Sequence, residues 1–197
     1  MSAEGEAPAL FENAGQWTAW LKKHHASSTG IWLRIAKKDA GLVSLTIGQA
    51  LDGALCYGWI DGQRKSLDAE SYLQRYTPRG RKSIWSKINV ANVGRLEGEG
   101  RMTPHGMKQV ELAKADGRWD RAYGGSKEME IPAALVAALK GHRKALQTLA
   151  GLSAQNRFAI AFRLHNLKTE AGRTRKLAAL VQMLKDGETI YPQKPKT

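Results

Sequence analysis

The sequence predicts an α+β fold: an N-terminal region with a small, mainly antiparallel sheet and flanking helices, followed by a C-terminal helical bundle. Three observations lead there. Two-residue alternation is confined to the first half, in Ile31-Trp32-Leu33-Arg34-Ile35 and in Tyr72-Leu73-Gln74-Arg75-Tyr76. Beyond Pro132 every apolar pattern has the helical spacing instead. Between them, Asp116 to Glu130 carries Gly117, Gly124, Gly125 and Ser126, the composition of a connecting segment. The expected organisation is a disordered tail over 1–12, an α+β domain over 13–115, a linker over 116–130, a helical domain over 131–187 and a second tail over 188–197.

Taken in order, residues 1–12 are small and acidic and lack the pattern of a packed element. Asn13 reads as an N-cap, and Trp17, Trp20 and Leu21 share one face of the helix that follows. His24 and His25 close it, where imidazoles serve the last carbonyls. Ile31 to Ala36 is a strand with Ile31, Leu33 and Ile35 on one side. Thr46 with Gln49 is a capping box opening a helix to about Tyr57, which Gly58 ends in a left-handed conformation. Trp59-Ile60-Asp61 then runs extended into an Asp61-Gly62 turn. Ser71 to Thr77 is the third strand, stopped by Pro78.

Ser83 is expected to cap a helix carrying Ile84, Ile88 and Ala91 on one side and Trp85, Asn89 and Asn92 on another. Thr103-Pro104 starts the next, with Met107, Val110, Leu112 and Ala113 packing and His105 at the surface of its first turn. Four helices follow: from Pro132 to Gly141, from His142 to Ala150, from Ser153 and from Thr169 to Gly187. The third of these is expected at the bundle centre, with Phe158, Ala161, Phe162 and His165 on one face and Ile160, Leu164 and Leu167 on another.

Charge is unevenly placed. The net charge is +13, and the excess lies in two blocks: residues 64–101 hold 9 Lys/Arg against 4 Asp/Glu, and 131–197 hold 12 against 3. The first block coincides with aromatic residues, which makes Trp59, Asp61, Arg64, Lys65, Arg75, Tyr76, Arg79, Trp85, Lys87 and Asn89 the candidate binding residues. Cations interleaved with rings suit a surface that takes phosphates by charge and flat groups by stacking. The competing expectation is that Tyr72, Tyr76, Trp59 and Trp85 are core, with Arg75 paired to Asp61 or Asp68. Alternation also sends Arg75 to the opposite side from Tyr72 and Tyr76.

Catalytic signals are sparse. Gly80-Arg81-Lys82-Ser83 echoes the end of a phosphate loop, but Arg75 stands where the upstream glycine is required. The single cysteine, Cys56, excludes an internal disulfide and a cysteine-based zinc site, and reads as a buried small hydrophobe. No catalytic residues, metal ligands or cofactor are assigned. No run is apolar enough to cross a membrane, and MSAEGEAPALFENAGQW lacks the features of a signal peptide, so the cytoplasm is the expected compartment.

Several strings resemble a known family. ALCYGWIDGQRKSLD, YLQRYTPR and SIWSKIN, followed by EGRMTPHGMKQVELAKADGRWD, are similar to the bacterial YdeI/OmpD-associated, or bacteriocin-protection, family, with the resemblance running from about Trp17 to Tyr191. It implies protection against cationic antimicrobial peptides, an outer-membrane porin link and an envelope role that this N-terminus does not support. The leading expectation is a non-catalytic binding or stress-protection protein. Its basic face would engage an anionic partner, whether lipid or lipopolysaccharide phosphate, an acidic protein surface or nucleic acid. A nucleic-acid-binding module and an enzyme on a small phosphorylated or acidic substrate are the alternatives.

Overall fold

The computed structural model describes residues 7–193; the outermost parts of both expected tails, 1–6 and 194–197, lie outside the described residues. Among these residues the fold is mixed, with one antiparallel sheet in the N-terminal half and helices alone in the C-terminal part. The chain forms two compact units. The first ends at Trp85 and resumes from Asn89 to Arg121; the second takes Ser86–Ile88 and everything from Ala122 onward. The unit border thus falls inside the glycine-rich stretch, after Arg121.

The first unit is built on three strands, β1 (Ile31–Ala36), β2 (Trp59–Ser66) and β3 (Ser71–Pro78), in the order β1-β3-β2 with both pairings antiparallel. Helix α1 (Ala14–His24) and helix α2 (Ile47–Cys56) supply its apolar partners. Ile31, Leu33 and Ile35 meet Trp17, Leu21, Ala50, Ala54, Trp59 and Tyr76 in one core. Trp17 is its centre: the indole N–H donates to the Ala50 carbonyl at 3.0 Å, and Gly53 leaves the room it needs. A Cβ on Gly53 would stand 2.7 Å from Trp17 Cδ1.

Local signals set most boundaries. Asn13 Oδ1 accepts the Gln16 N–H at 3.0 Å, and Thr46 with Gln49 forms the reciprocal capping box. Gly58 has φ +74°, the left-handed exit from α2. Helix α4 (Pro104–Ala115) starts on Thr103, whose hydroxyl also donates to the Cys56 carbonyl at 2.6 Å. That bond brings the first turn of α4 onto the end of α2, with Gly106 at the crossing.

Three expectations differ. Asp61-Gly62 is no turn: β2 runs on to Ser66, and the pairing register shifts between Asp61 and Arg64. The buried Gln74 side chain makes this bulge possible, its Nε2 donating to the Gly62 and Gln63 carbonyls at 3.0 and 3.3 Å. Ser83 caps no helix. Its hydroxyl accepts the Gly80 N–H at 3.0 Å within a tight loop, and α3 (Lys87–Gly98) begins four residues later. That helix buries Asn89, Val93 and Leu96 and leaves Ile88 59% exposed, so of the two sides the sequence distinguishes it is the Asn89 side that turns inward. Finally, residues 7–12 are held, in place of the expected loose tail. Ala9 donates to the Trp32 carbonyl and accepts from the Arg34 N–H, both at 2.9 Å, in a parallel bridge along β1.

The second unit packs α5 (Ala133–Ala138), α6 (Arg143–Gly151), α7 (Ala154–His165) and α8 (Glu170–Asp186) around Leu135, Leu139, Leu149, Leu152, Ile160, Leu164, Leu180 and Leu184. Ser153 and Thr169 cap α7 and α8, and Gly187 at φ +84° ends α8. Helix α7 buries Asn156, Ala159, Ile160, Ala161 and Leu164, while Phe158 and Phe162 are only half-buried. Its more aromatic face is not the one turned to the core.

Candidate functional site

The sheet separates the candidate residues by side. Trp59 (1% exposed) and Tyr76 (0%) belong to the core face, and burial raises the Tyr76 phenol well above its usual range. Trp85 (2% exposed) is equally enclosed, with the Arg79 guanidinium carbon 3.5 Å from its ring centroid and Trp119 edge-on at 4.8 Å. Arg79 is a structural cation: it is buried, and Nη1 donates to the Ile84 carbonyl at 3.2 Å. Buried Arg118 does similar work, bonding Asp116 and donating to the Ser83 carbonyl at 2.8 Å. Together the two guanidiniums tie down the 80–85 loop. Trp59, Tyr76 and Trp85 offer no surface for a ligand.

Arg64 lies toward the β2 edge of the core side, over the Tyr72 ring at 4.5 Å and donating to Gln74 Oε1 at 3.0 Å. Asp61 is exposed at the bulge. Lys87 reaches Glu128 at 3.5 Å with both ends well exposed, and Asn89 is buried in α3.

Lys65 and Arg75 do converge, on a ring outside the candidate set. Trp32 faces away from Ile31 and Leu33 on β1, and its direct partner across the ladder is Arg75. The indole is half-buried on the open side of the sheet. Lys65 Nζ lies 4.8 Å and the Arg75 guanidinium carbon 5.6 Å from its ring centroid. Among the described residues neither cation forms an ion pair. Alternation on β1 is the signal that could have found Trp32, since three buried neighbours on one side place it on the other.

Arg34, on the same side as Trp32, is engaged differently. It bonds Asp68 at 2.9 Å and the Ser71 hydroxyl at 2.9 Å. Asp68 in turn accepts from the Ser71 hydroxyl and N–H, both at 2.7 Å, and from the Glu70 N–H at 3.0 Å. The Ser71 hydroxyl bond above all holds this carboxyl below the usual carboxylate range. Asp68 therefore pairs with Arg34 and not with Arg75, which leaves Arg75 available.

A second cluster surrounds the α1 and α4 ends. His25 Nδ1 donates to the Leu21 carbonyl at 2.9 Å, as expected for a helix-end imidazole, and its ring stands 4.0 Å from that of His105. Cys56 is buried nearby in α2, and burial is the main cause that raises its thiol above the usual value, which keeps it protonated. Among the described residues no group of three or more His, Cys, Asp or Glu gathers as a metal site. No described helix is long and apolar enough to cross a membrane.

Comparison with known families divides the chain much as the units do. Residues 9–109 match the model of a domain of unknown function, DUF8412. Residues 128–187 match the family described as bacteriocin-protection, YdeI or OmpD-associated. The central strings that suggest the latter family therefore fall largely within the former match, and the bacteriocin-protection match covers the C-terminal part alone. No curated protein and no solved structure matches the chain.

Proposed function

Because this chain belongs to the DUF8412 family and carries a YdeI/OmpD-associated region in its C-terminal part, we propose that it is a non-catalytic binding protein for a phosphate-bearing anionic partner. The observation that carries the reading is the Trp32 wall, where one half-open indole gathers two cations that form no ion pair among the described residues. The quadrupole of the ring holds Lys65 and Arg75 near one another, an attraction worth about 0.5–1 kcal/mol per cation at an exposed site. Their mutual repulsion remains, and an oxyanion set between them relieves it. A net charge of +13 adds a long-range field that draws such a partner in.

The same field bears on the family's name. A strongly basic protein repels cationic peptides, so protection by sequestering them is disfavoured. Protection by occupying the anionic surface that those peptides seek agrees with the charge. Tight, salt-insensitive binding of a polycationic peptide would reverse this part of the reading.

The test is binding of inorganic polyphosphate, phosphatidylglycerol vesicles and a labelled single-stranded oligonucleotide, each titrated over a range of salt. At least one is expected to bind at low salt and to weaken as salt rises. The Lys65→Ala/Arg75→Ala double variant should lower both the affinity and the salt dependence, by about one unit of log–log slope for each phosphate no longer neutralised. If none of the three binds at low salt, or if the double variant binds as the parent does, the sheet face is not the docking surface.

A further inference from the structure

Helix α7 presents a second and separate arrangement. Phe158 and Phe162 lie one turn apart with ring centroids 5.5 Å apart and planes tilted by 34°. Facing them is Tyr191, from the segment beyond α8. The three rings, with Gln155, Ala159 and Arg163, line an open cleft of about 370 Å³. That volume is at the small end of ligand sites and suits a one- or two-ring molecule.

The cleft is built rather than incidental. Asn156, 1% exposed, locks Tyr191 in place: its Oδ1 accepts the Tyr191 N–H at 2.9 Å, and its Nδ2 donates to the Tyr191 carbonyl at 3.0 Å. Gln193 reinforces the lock, accepting from Asn156 Nδ2 at 2.8 Å and from the Ser153 N–H at 2.9 Å, and donating to the Gly151 carbonyl at 3.0 Å. The buried amide thus fixes one aromatic wall, while the helix fixes the other. Tyr191 nonetheless stays 40% exposed, open to a molecule entering the cleft.

Polar groups converge at the rim. The Arg163 guanidinium rests over the Tyr191 ring with its carbon 6.0 Å from the centroid. Among the described residues it meets no carboxylate within ion-pair distance, and the Gln155 carboxamide has no hydrogen-bond partner. An apolar slot with aromatic walls, one unpaired guanidinium and one open carboxamide has the complementarity of a flat ring bearing a single carboxylate. The guanidinium would take the two oxygens, and the rings would take the π-face. We propose that this cleft binds a small planar aromatic carboxylate.

The test uses the full chain with 2-naphthoate as probe, and with 2-naphthylmethanol and cyclohexanecarboxylate as the uncharged and the non-aromatic controls. Binding is followed by calorimetry and by backbone amide NMR. Naphthoate should bind and shift amides around 155–163 and 191. Arg163→Gln, a surface change, should weaken naphthoate by about ten-fold or more and leave naphthylmethanol unchanged. Tyr191→Ala should weaken both, and cyclohexanecarboxylate should bind less well than naphthoate. The Lys65→Ala/Arg75→Ala variant should bind naphthoate as the parent does, which separates this site from the sheet face. Absence of naphthoate binding, shifts centred on Trp32, or an Arg163→Gln variant with unchanged affinity would each overturn the proposal.

Discussion

Gly106 shows how a single missing side chain sets a helix crossing. It lies in the first turn of α4 against the last carbonyls of α2, and an added Cβ would stand 2.7 Å from the Leu55 oxygen and closer still to that of Cys56. The obstacle is backbone, which cannot rotate aside as a side chain would. Gly106→Ala is therefore expected to destabilise the fold by about 1–3 kcal/mol, although alanine is the better helix former. Urea unfolding reads this directly; an unchanged or raised midpoint would mean that the two helices separate at little cost. Trp32 makes the complementary point. Its neighbours Ile31 and Leu33 are ordinary core residues, and only its own outward orientation turns it into a platform for Lys65 and Arg75.

At the level of the element, the caps are the legible part. Asn13, Thr46, Thr103, Ser153 and Thr169 each accept an N–H three residues on, an interaction complete within one turn and so visible in the local sequence. Thr46→Ala removes one half of a capping box and is expected to cost about 1 kcal/mol, with Thr46→Ser retaining most of it. Thermal melts of the two variants side by side check this; equal losses would assign the effect to the methyl group instead. What is not legible depends on distant partners. The course of β2 rests on Gln74, twelve residues beyond the bulge it satisfies at Gly62. The late start of α3 follows a loop whose Ser83 carbonyl is held by Arg118, thirty-five residues away. The candidate binding residues scatter for a similar reason: rings and cations adjacent in sequence are divided between the two sides of a sheet. Which side the helices cover is decided by packing and not by spacing.

For the molecule as a whole, charge and acid response are the measurable properties. Asp68 and Glu99 are both held below the usual carboxylate range, Asp68 chiefly by the Ser71 hydroxyl and Glu99 chiefly by Arg101 and then Arg95. A carboxyl depressed in the folded state contributes stability that is complete above its unfolded value and is lost as pH falls through the folded one. Melting temperature should therefore hold from neutral pH down to about 5 and decline below about 4. Asp68→Asn should lie below the parent at neutral pH and converge with it in acid. A gap between the two that stays constant across that range would show that the aspartate acts through shape alone. The β1 edge of the sheet points to a different property. Ala9 satisfies the outward amide and carbonyl groups of Arg34 and Trp32 on β1, so the strand meets its own chain before it can meet a stranger. A fusion or truncation that pulls Ala9 away would bare a template for copy-to-copy strand addition, and self-assembly that quickens with concentration would be the result.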